Sequence, residues 1–384
     1  MLQPGKARPR PPKGKAQSHS GVQPLSSYSD THFEPLPTPL GEPPYHFDLQ
    51  TVVPDIAATA RKYKKLVFHT VGDTGGVKNA DYQDAVATQM KTDLAEKPES
   101  DQPRFFYHLG DVVYYNGQVA DYYSQFYEPY DHYGPPIIAI PGNHDGDPVA
   151  GQTSLDGWVR YFMSPTAQID SENCGDAPRV TLSLPNVYFT LDCPYVTIVG
   201  MYTNVPEGGS IDSVQQQWLT NEFATAAEDK ALIVALHHPV YSFDDHHSGS
   251  PAMADALQHA INDSRRVPNM VLTGHVHNYQ RIERKIAGET PTPFLVAGAG
   301  GYFHLHGMTA DTGHTDKSVG ATLMSHDQYH HGYVTLTVDA KSISGVMTSI
   351  AETGSAKHKN DAKPDAFSYT AALLKLDKGV TVSL

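Results

Sequence analysis

Five short apolar runs punctuate the chain, and each ends in polar residues able to bind cations. Leu66–Val71 leads into Gly72-Asp73-Thr74-Gly75, and residues 105–109 lead into Gly110-Asp111-Val112-Val113-Tyr114. Residues 137–141 lead into Gly142-Asn143-His144-Asp145, Ala231–Leu236 into His237-His238-Pro239, and Met270–Thr273 into Gly274-His275-Val276-His277. Runs of this length bounded by turn residues predict strands. Residues two apart on an extended segment point the same way, so His275 and His277 can address one point. In open α/β sheets a ligand lies beyond the carboxyl ends of the strands, where such ends can converge. Glycine at four of the five hinges permits a sharp turn and a close backbone approach. Any one cluster could be an ordinary strand-ending turn; their recurrence predicts a shared site.

Between these runs the spacing changes to a helical period. Val86, Met90 and Leu94 lie four apart, and Asp212 or Ser213 can cap a helix with Val214, Trp218, Leu219 and Phe223 on one face. Ser250-Pro251 starts a second helix that buries Met253, Leu257 and Ile261. Residues 187–190, 195–201, 294–298, 333–338 and 342–348 read as further strands. The aromatics Tyr122, Tyr123, Phe126, Tyr127 and Tyr130 predict packing. Residues 146–178 read as a loop-rich insertion near the site mouth, anchored by Trp158, Tyr161 and Phe162. His69 and His108 fall inside strands and read as core histidines, and His238 as packing or as support for a ligand. The organisation expected is a Pro-rich arm over 1–55, disordered or laid on the surface, and a main domain over 60–350. A C-terminal extension over 351–384 then follows, ending in a possible edge hairpin.

The net charge is −14, and the early cations Lys6, Arg8, Arg10, Lys13 and Lys15 all lie in the arm. The main domain carries no basic block, which argues against a nucleic-acid partner. No run of 18 apolar residues occurs that could span a membrane, and no apolar segment follows the early cations as a secretory signal would require. Cys174 and Cys193 are too few for a disulfide framework or a structural zinc site; they either pair or stay free. Neither charge nor cysteine content specifies a compartment or an oligomeric state.

The five clusters offer carboxylates, an amide oxygen, a phenol and imidazoles. That is a mixed set, unlike the thiolate and imidazole ligands of structural zinc. Seven such side chains are too many for one ion and suit two, provided one carboxylate is shared. Paired metals about 3.5–4 Å apart are a common device for displacement at phosphorus.

The motif order Gly-Asp-x-Gly, Gly-Asp-x-x-Tyr, Gly-Asn-His-Asp, Val-x-x-His and Gly-His-x-His resembles the calcineurin-like metallophosphoesterases, and within them the purple acid phosphatase branch. Most of that superfamily opens with Asp-x-His; here Asp73-Thr74-Gly75 stands instead, and Tyr114 makes good the missing ligand, as in the acid phosphatases. Gln217-Trp218-Leu219, the run from Gly274 to Arg281 and Gly298-Ala299-Gly300-Gly301 extend the likeness over residues 65–345. It implies an α/β sandwich of two mixed sheets packed face to face, flanked by helices, with a dinuclear centre at one edge.

Residue by residue, the resemblance implies that Asp73, Tyr114 and His277 hold a ferric ion. Asn143, His237 and His275 would hold a divalent zinc, manganese or iron, with Asp111 bridging. His144 would meet the substrate phosphate, and one of His246 and His247, with His247 favoured, would bind phosphate or protonate the leaving alkoxide. The tandem equally fits an exposed loop pair. The implied activity is hydrolysis of small phosphate monoesters by a metal-activated hydroxide at acidic pH, in a secreted, periplasmic or otherwise acidic compartment. A phosphodiesterase acting on cyclic nucleotides or phospholipid head groups, and a non-catalytic scaffold of the same fold, are the alternatives. Plant-type members carry an N-terminal sandwich domain, whereas only some seventy, largely Pro-rich residues precede the first motif here, so a dimer arranged through that domain is not expected to carry over.

Overall fold

The computed structural model describes residues 32–149, 151–170, 174–175 and 177–384. The basic cluster from Lys6 to Lys15, with the rest of the arm before His32, lies outside the described residues.

Among the described residues, seventeen strands follow one another along the chain. They begin with β1 (His46–Asp48), β2 (Leu66–Val71), β3 (Phe106–His108), β4 (Ile137–Ala139), β5 (Phe189–Asp192) and β6 (Val196–Gly200). Next come β7 (Ala231–Leu236), β8 (Arg266–Val267), β9 (Met270–Thr273), β10 (Tyr279–Ala287), β11 (Thr290–Ala297) and β12 (Thr315–Asp316). The last are β13 (Ala321–Asp327), β14 (Gly332–Val338), β15 (Ser342–Ser349), β16 (Asp365–Thr370) and β17 (Leu374–Lys375). Two mixed sheets result, ordered β1-β5-β6-β7-β9-β11-β10-β13-β12 and β16-β15-β14-β2-β3-β4, with a small β17-β8 pair beside them. One continuous apolar core draws side chains from both, giving the expected α/β sandwich.

Strands β2 and β7 are buried at every position, which is why β7 reads as an unbroken apolar run and β2 as one interrupted only by His69 and Thr70, instead of alternating. Parallel pairing of β2, β3 and β4 brings three of the polar strand ends side by side. Parallel pairing of β7 with β9 brings the other two together on the second sheet. The ends are joined across the sheets: Gly72 N–H donates to Ala297 O at 2.8 Å. The His237 ring donates from Nδ1 to Leu109 O, also at 2.8 Å.

Six helices matter here: α1 (Ile56–Tyr63), α2 (Asp81–Glu96), α3 (Asn143–Gly146), α4 (Asp156–Phe162), α5 (Ser213–Thr225) and α6 (Pro251–Ser264). Asp212 caps α5 by accepting from Gln215 N–H at 2.8 Å, and Ser250 caps α6 by accepting from Met253 N–H at 3.1 Å. The buried face of α5 is rotated from the one expected. Val214 is 64% exposed. Gln215 takes the inner place because its amide bonds both the N–H and the carbonyl of Tyr202, at 3.0 and 2.8 Å. In the 146–178 segment, Trp158, Tyr161 and Phe162 of α4 are buried against Tyr122 and Phe126. Among the described residues no helix is long and apolar enough to cross a membrane.

Both flanks are more integrated than the sequence implied. His46–Asp48 joins the nine-stranded sheet parallel to β5, Leu49 is fully buried, and Trp218 Nε1 donates to Pro44 O at 2.7 Å. Residues before 60 therefore contribute to the fold. At the other end β16 pairs with β15 while β17 pairs with β8, so the extension supplies two separate edges and no hairpin. Strand β10 lies inside the larger sheet and escaped the sequence reading because Arg281, Glu283, Arg284 and Lys285 break its apolar pattern. Cys174 and Cys193 are both buried and unpaired.

Candidate metal centre

Asp73, Asp111 and His275 sit just past their strands with φ of 57°, 52° and 66°, the left-handed region that non-glycine residues avoid. Each such residue costs on the order of 1 kcal/mol or more, so the surroundings must hold it there. They do so through the carboxylates of Asp73 and Asp111 themselves. His275 N–H donates to Asp73 Oδ2 and His144 N–H donates to Asp111 Oδ1, both at 2.9 Å. Two hinges can only be glycine: a Cβ on Gly142 would come within 2.1 Å of Asp111 Oδ1, and one on Gly274 within 2.6 Å of Asp73 Oδ2.

The seven side chains that the motifs singled out converge in two groups. In the first, Tyr114 Oη donates to Asp73 Oδ1 at 3.2 Å. His277 Nε2 lies 3.3 Å from that phenol and 3.5 Å from that carboxylate. In the second, Asn143 Oδ1 lies 3.0 Å from His237 Nε2 and 3.1 Å from His275 Nδ1. Asp111 stands between the groups, 3.4 Å from His237 Nε2, and donor atoms of Asp73, Asp111 and His237 all lie within 4.8 Å of one another. None of the seven is more than 8% exposed.

Their electrostatics are uneven: burial works against the charge of His237, yet the Asp111 carboxylate beside it raises that imidazole to about 9. Burial pushes Asp73 well above the usual carboxylate range, with Asp111 adding to the push. Burial would raise Asp111 too, but His237 and His144 hold it well below. Burial lowers His275 to about 4 and His277 well below its ordinary value, and raises the Tyr114 phenol. One buried oxygen, Asp111 Oδ2, has no hydrogen-bond partner among the described residues. A carboxylate oxygen left bare between two groups of oxygen and imidazole donors is the arrangement that a pair of cations fits. His237 is already oriented for such a role, since its Nδ1 proton is engaged by Leu109 O and Nε2 faces Asn143 and Asp111.

Around the seven lies a supporting layer. Asp145 accepts from Gly142 N–H at 2.9 Å and from Val112 and Val113 N–H, each at 3.1 Å, locking the turn after β3 to that after β4. His238 pairs with Thr203 Oγ1 at 2.7 Å and packs its ring 4.4 Å from that of His275. His69 is held by Tyr133 and Asp93, and His108 by Thr74, within the core.

The remaining predicted residues divide. His144 donates from Nδ1 to Tyr115 O at 2.9 Å, with its ring 4.7 Å from that of Tyr114. His247 faces the centre, its ring 4.6 Å from that of His275. His246 turns away, 54% exposed, toward His306 and His304.

Three neighbours were not anticipated. Glu207 Oε1 lies 2.5 Å from His247 Nδ1 and 3.5 Å from His275 Nε2. Tyr302 packs its ring 4.3 Å from that of His277, and His306 packs 4.6 Å from the same ring. His304-Leu305-His306 repeats the two-apart spacing of His275 and His277 and could have been found by it. Glu207, in the turn Pro206-Glu207-Gly208-Gly209, has no such local signal.

The family model described as calcineurin-like phosphoesterase matches residues 28–279. Among curated relatives, purple acid phosphatase 22 of Arabidopsis thaliana is 24% identical over 39% of this chain, a match spanning only 32% of that protein. Tartrate-resistant acid phosphatase type 5 of Rattus norvegicus is 23% identical over 65% of this chain and 77% of its own length. Among solved structures, a purple acid phosphatase from yellow lupin (Lupinus luteus) seeds superposes with a TM-score of 0.57 at 18% identity. That superposition covers 80% of this chain and 54% of the lupin protein.

Proposed function

Since the chain belongs to the calcineurin-like phosphoesterase family and resembles its purple acid phosphatase branch, we propose that it hydrolyses small phosphate monoesters in acidic solution. The observation that carries this reading is the meeting of two donor groups beside Asp111, whose buried Oδ2 has no hydrogen-bond partner among the described residues. Asp73, Tyr114 and His277 would hold a ferric ion, Asn143, His237 and His275 a divalent zinc, manganese or iron, and Asp111 would join them. Such a pair supplies Lewis acidity toward phosphoryl oxygens and acidifies water enough to give a nucleophile below neutrality.

The protein's own groups would do the rest. His144, anchored through Nδ1 to Tyr115 O, presents its other nitrogen as a contact for a phosphate oxygen. Glu207 orients His247 beside His275, where the imidazole can deliver a proton to the departing alkoxide. Tyr302 and His306 wall the side of His277 and limit water there.

The test compares a nitrophenyl phosphate monoester with the corresponding bis-ester across pH, using protein whose metals have been quantified. Faster hydrolysis of the monoester in acid, with two ions per chain, supports the reading. Faster hydrolysis of the bis-ester would replace it with a phosphodiesterase, and inertness of the metal-loaded protein toward both would remove it.

A further inference from the structure

A second histidine cluster lies at the rim, outside the seven residues already placed. One ring nitrogen from each of His246, His304 and His306 lies within 4.8 Å of the other two. Ring centroids are 4.5 Å apart for His246 and His306, 5.6 Å for His304 and His306, and 5.9 Å for His246 and His304.

The two loops that carry them are laced together. Asp245 N–H donates to Gly307 O at 3.0 Å, and Gly307 N–H donates to Asp245 Oδ1 at 3.1 Å. Behind both loops sits the Asp244 carboxylate. It accepts from the backbone N–H of His246 at 2.8 Å and of His247 at 2.7 Å, and from Asn278 Nδ2 at 2.9 Å. The same carboxylate stands 3.3 Å from His306 Nδ1. The backbone geometry that brings the three rings together is therefore fixed before any ligand arrives. His306 is 6% exposed and closes the protein side, while His246 and His304 are open to solvent.

From this geometry we propose that His246, His304 and His306 form a third cation site, distinct from the buried pair, for a borderline divalent ion such as zinc, cobalt, nickel or copper. Three imidazoles on a shared point suit those ions, whereas magnesium and calcium demand oxygen donors. Three protein ligands also leave a fourth position open to solvent or to an anion. On a chain of net charge −14, a cation held at the rim would attract a phosphate ester toward the neighbouring centre. The site does not depend on the hydrolytic reading, because its ligands are separate and binding can be followed without turnover.

The test uses protein with its buried ions in place, dialysed at neutral pH against cobalt(II) or zinc(II) and analysed for metal. The wild type is expected to hold one more ion per chain than His304→Ala, with a ligand-field absorption from the extra cobalt that the variant lacks. His246→Ala should weaken that uptake at least tenfold. Both positions are solvent-exposed, so an unchanged Tm should accompany the loss. Equal metal content in wild type and His304→Ala overturns the proposal. So does a result in which the substitutions abolish binding of inorganic phosphate while cobalt uptake is unchanged, since that would make the trio an anion site.

Discussion

Two clusters in this molecule are built from the same histidine and carboxylate side chains, and they reach opposite electrostatic ends. At the edge of the nine-stranded sheet, His46 of β1 lies 2.7 Å from Asp192 and 3.0 Å from Glu222, on relaxed extended backbone. Its hydrogen bonds to Asp192 and then Glu222 raise the imidazole to about 10, so the ring keeps its proton and the charges answer one another on the spot. At the strand ends, Asp73 and Asp111 share a dry space with His275 and His277, which burial keeps neutral, and Asp73, Asp111 and His275 sit on backbone twisted into the left-handed region. The edge cluster serves the fold. The interior cluster is strained, and of its three imidazoles only His237 is raised, by the Asp111 carboxylate. Burial pushes Asp73, His275 and His277 toward their neutral forms. Strain of this kind is how sites differ from scaffolding.

The contrast is broken most directly at Asp111. Replacing it with asparagine removes the charge shared by both donor groups, and turnover should fall by about 1000-fold or more together with metal content. Near-normal activity in that variant would show that the interior cluster is only another structural pair. A smaller effect is expected from Asp145→Asn, which leaves the ligands in place but weakens the clamp on the turns after β3 and β4. A loss of about 10–100-fold in kcat/KM, with the protein still folded, is the expected size for a positioning group. If the proposed ferric ion sits on Tyr114, Tyr114→Phe should then abolish visible absorbance, since a phenolate on ferric iron absorbs in the visible. A coloured variant would overturn the proposed ferric assignment.

The smallest effect belongs to the edge. His46→Ala should cost about 0.5–1 kcal/mol, because the pair is partly open to water and screened. The sign follows from the raised value. The stabilisation is complete below the ordinary histidine value of 6.5 and disappears as pH rises through about 10, where the folded ring loses its proton. The Tm gap between wild type and variant should therefore narrow over that window, and a constant gap would show that His46 acts by packing alone.

Much of the interior cluster was legible because its information is local. A strand, a glycine hinge and a ligand lie consecutively in the chain, and Gly142 and Gly274 are required by the very carboxylates they approach. The parts that were missed are assembled from distant segments. Glu207 reaches the site from a loop with no recognisable pattern, Tyr302 stands one place beyond the Gly298-Ala299-Gly300-Gly301 run that marks no side chain of its own, and β1 is a three-residue strand hidden among prolines. Strand β10 hides its register behind charged residues, some of which find partners far along the chain, as Arg281 does with Asp365. Val214 misled because apolar spacing alone cannot foresee that Gln215 will find two backbone partners indoors.

The parentage of each donor group carries one more consequence. Asp73 and Tyr114 follow strands of the six-stranded sheet and Asn143 follows its edge, whereas His237, His275 and His277 follow strands of the nine-stranded one. Each group thus takes donor side chains from both halves of the sandwich, so any ion lodged there would act as a rivet through the seam. Loading the site and closing the sandwich then become one thermodynamic event: the protein would be hardest to pry apart when it is armed for chemistry.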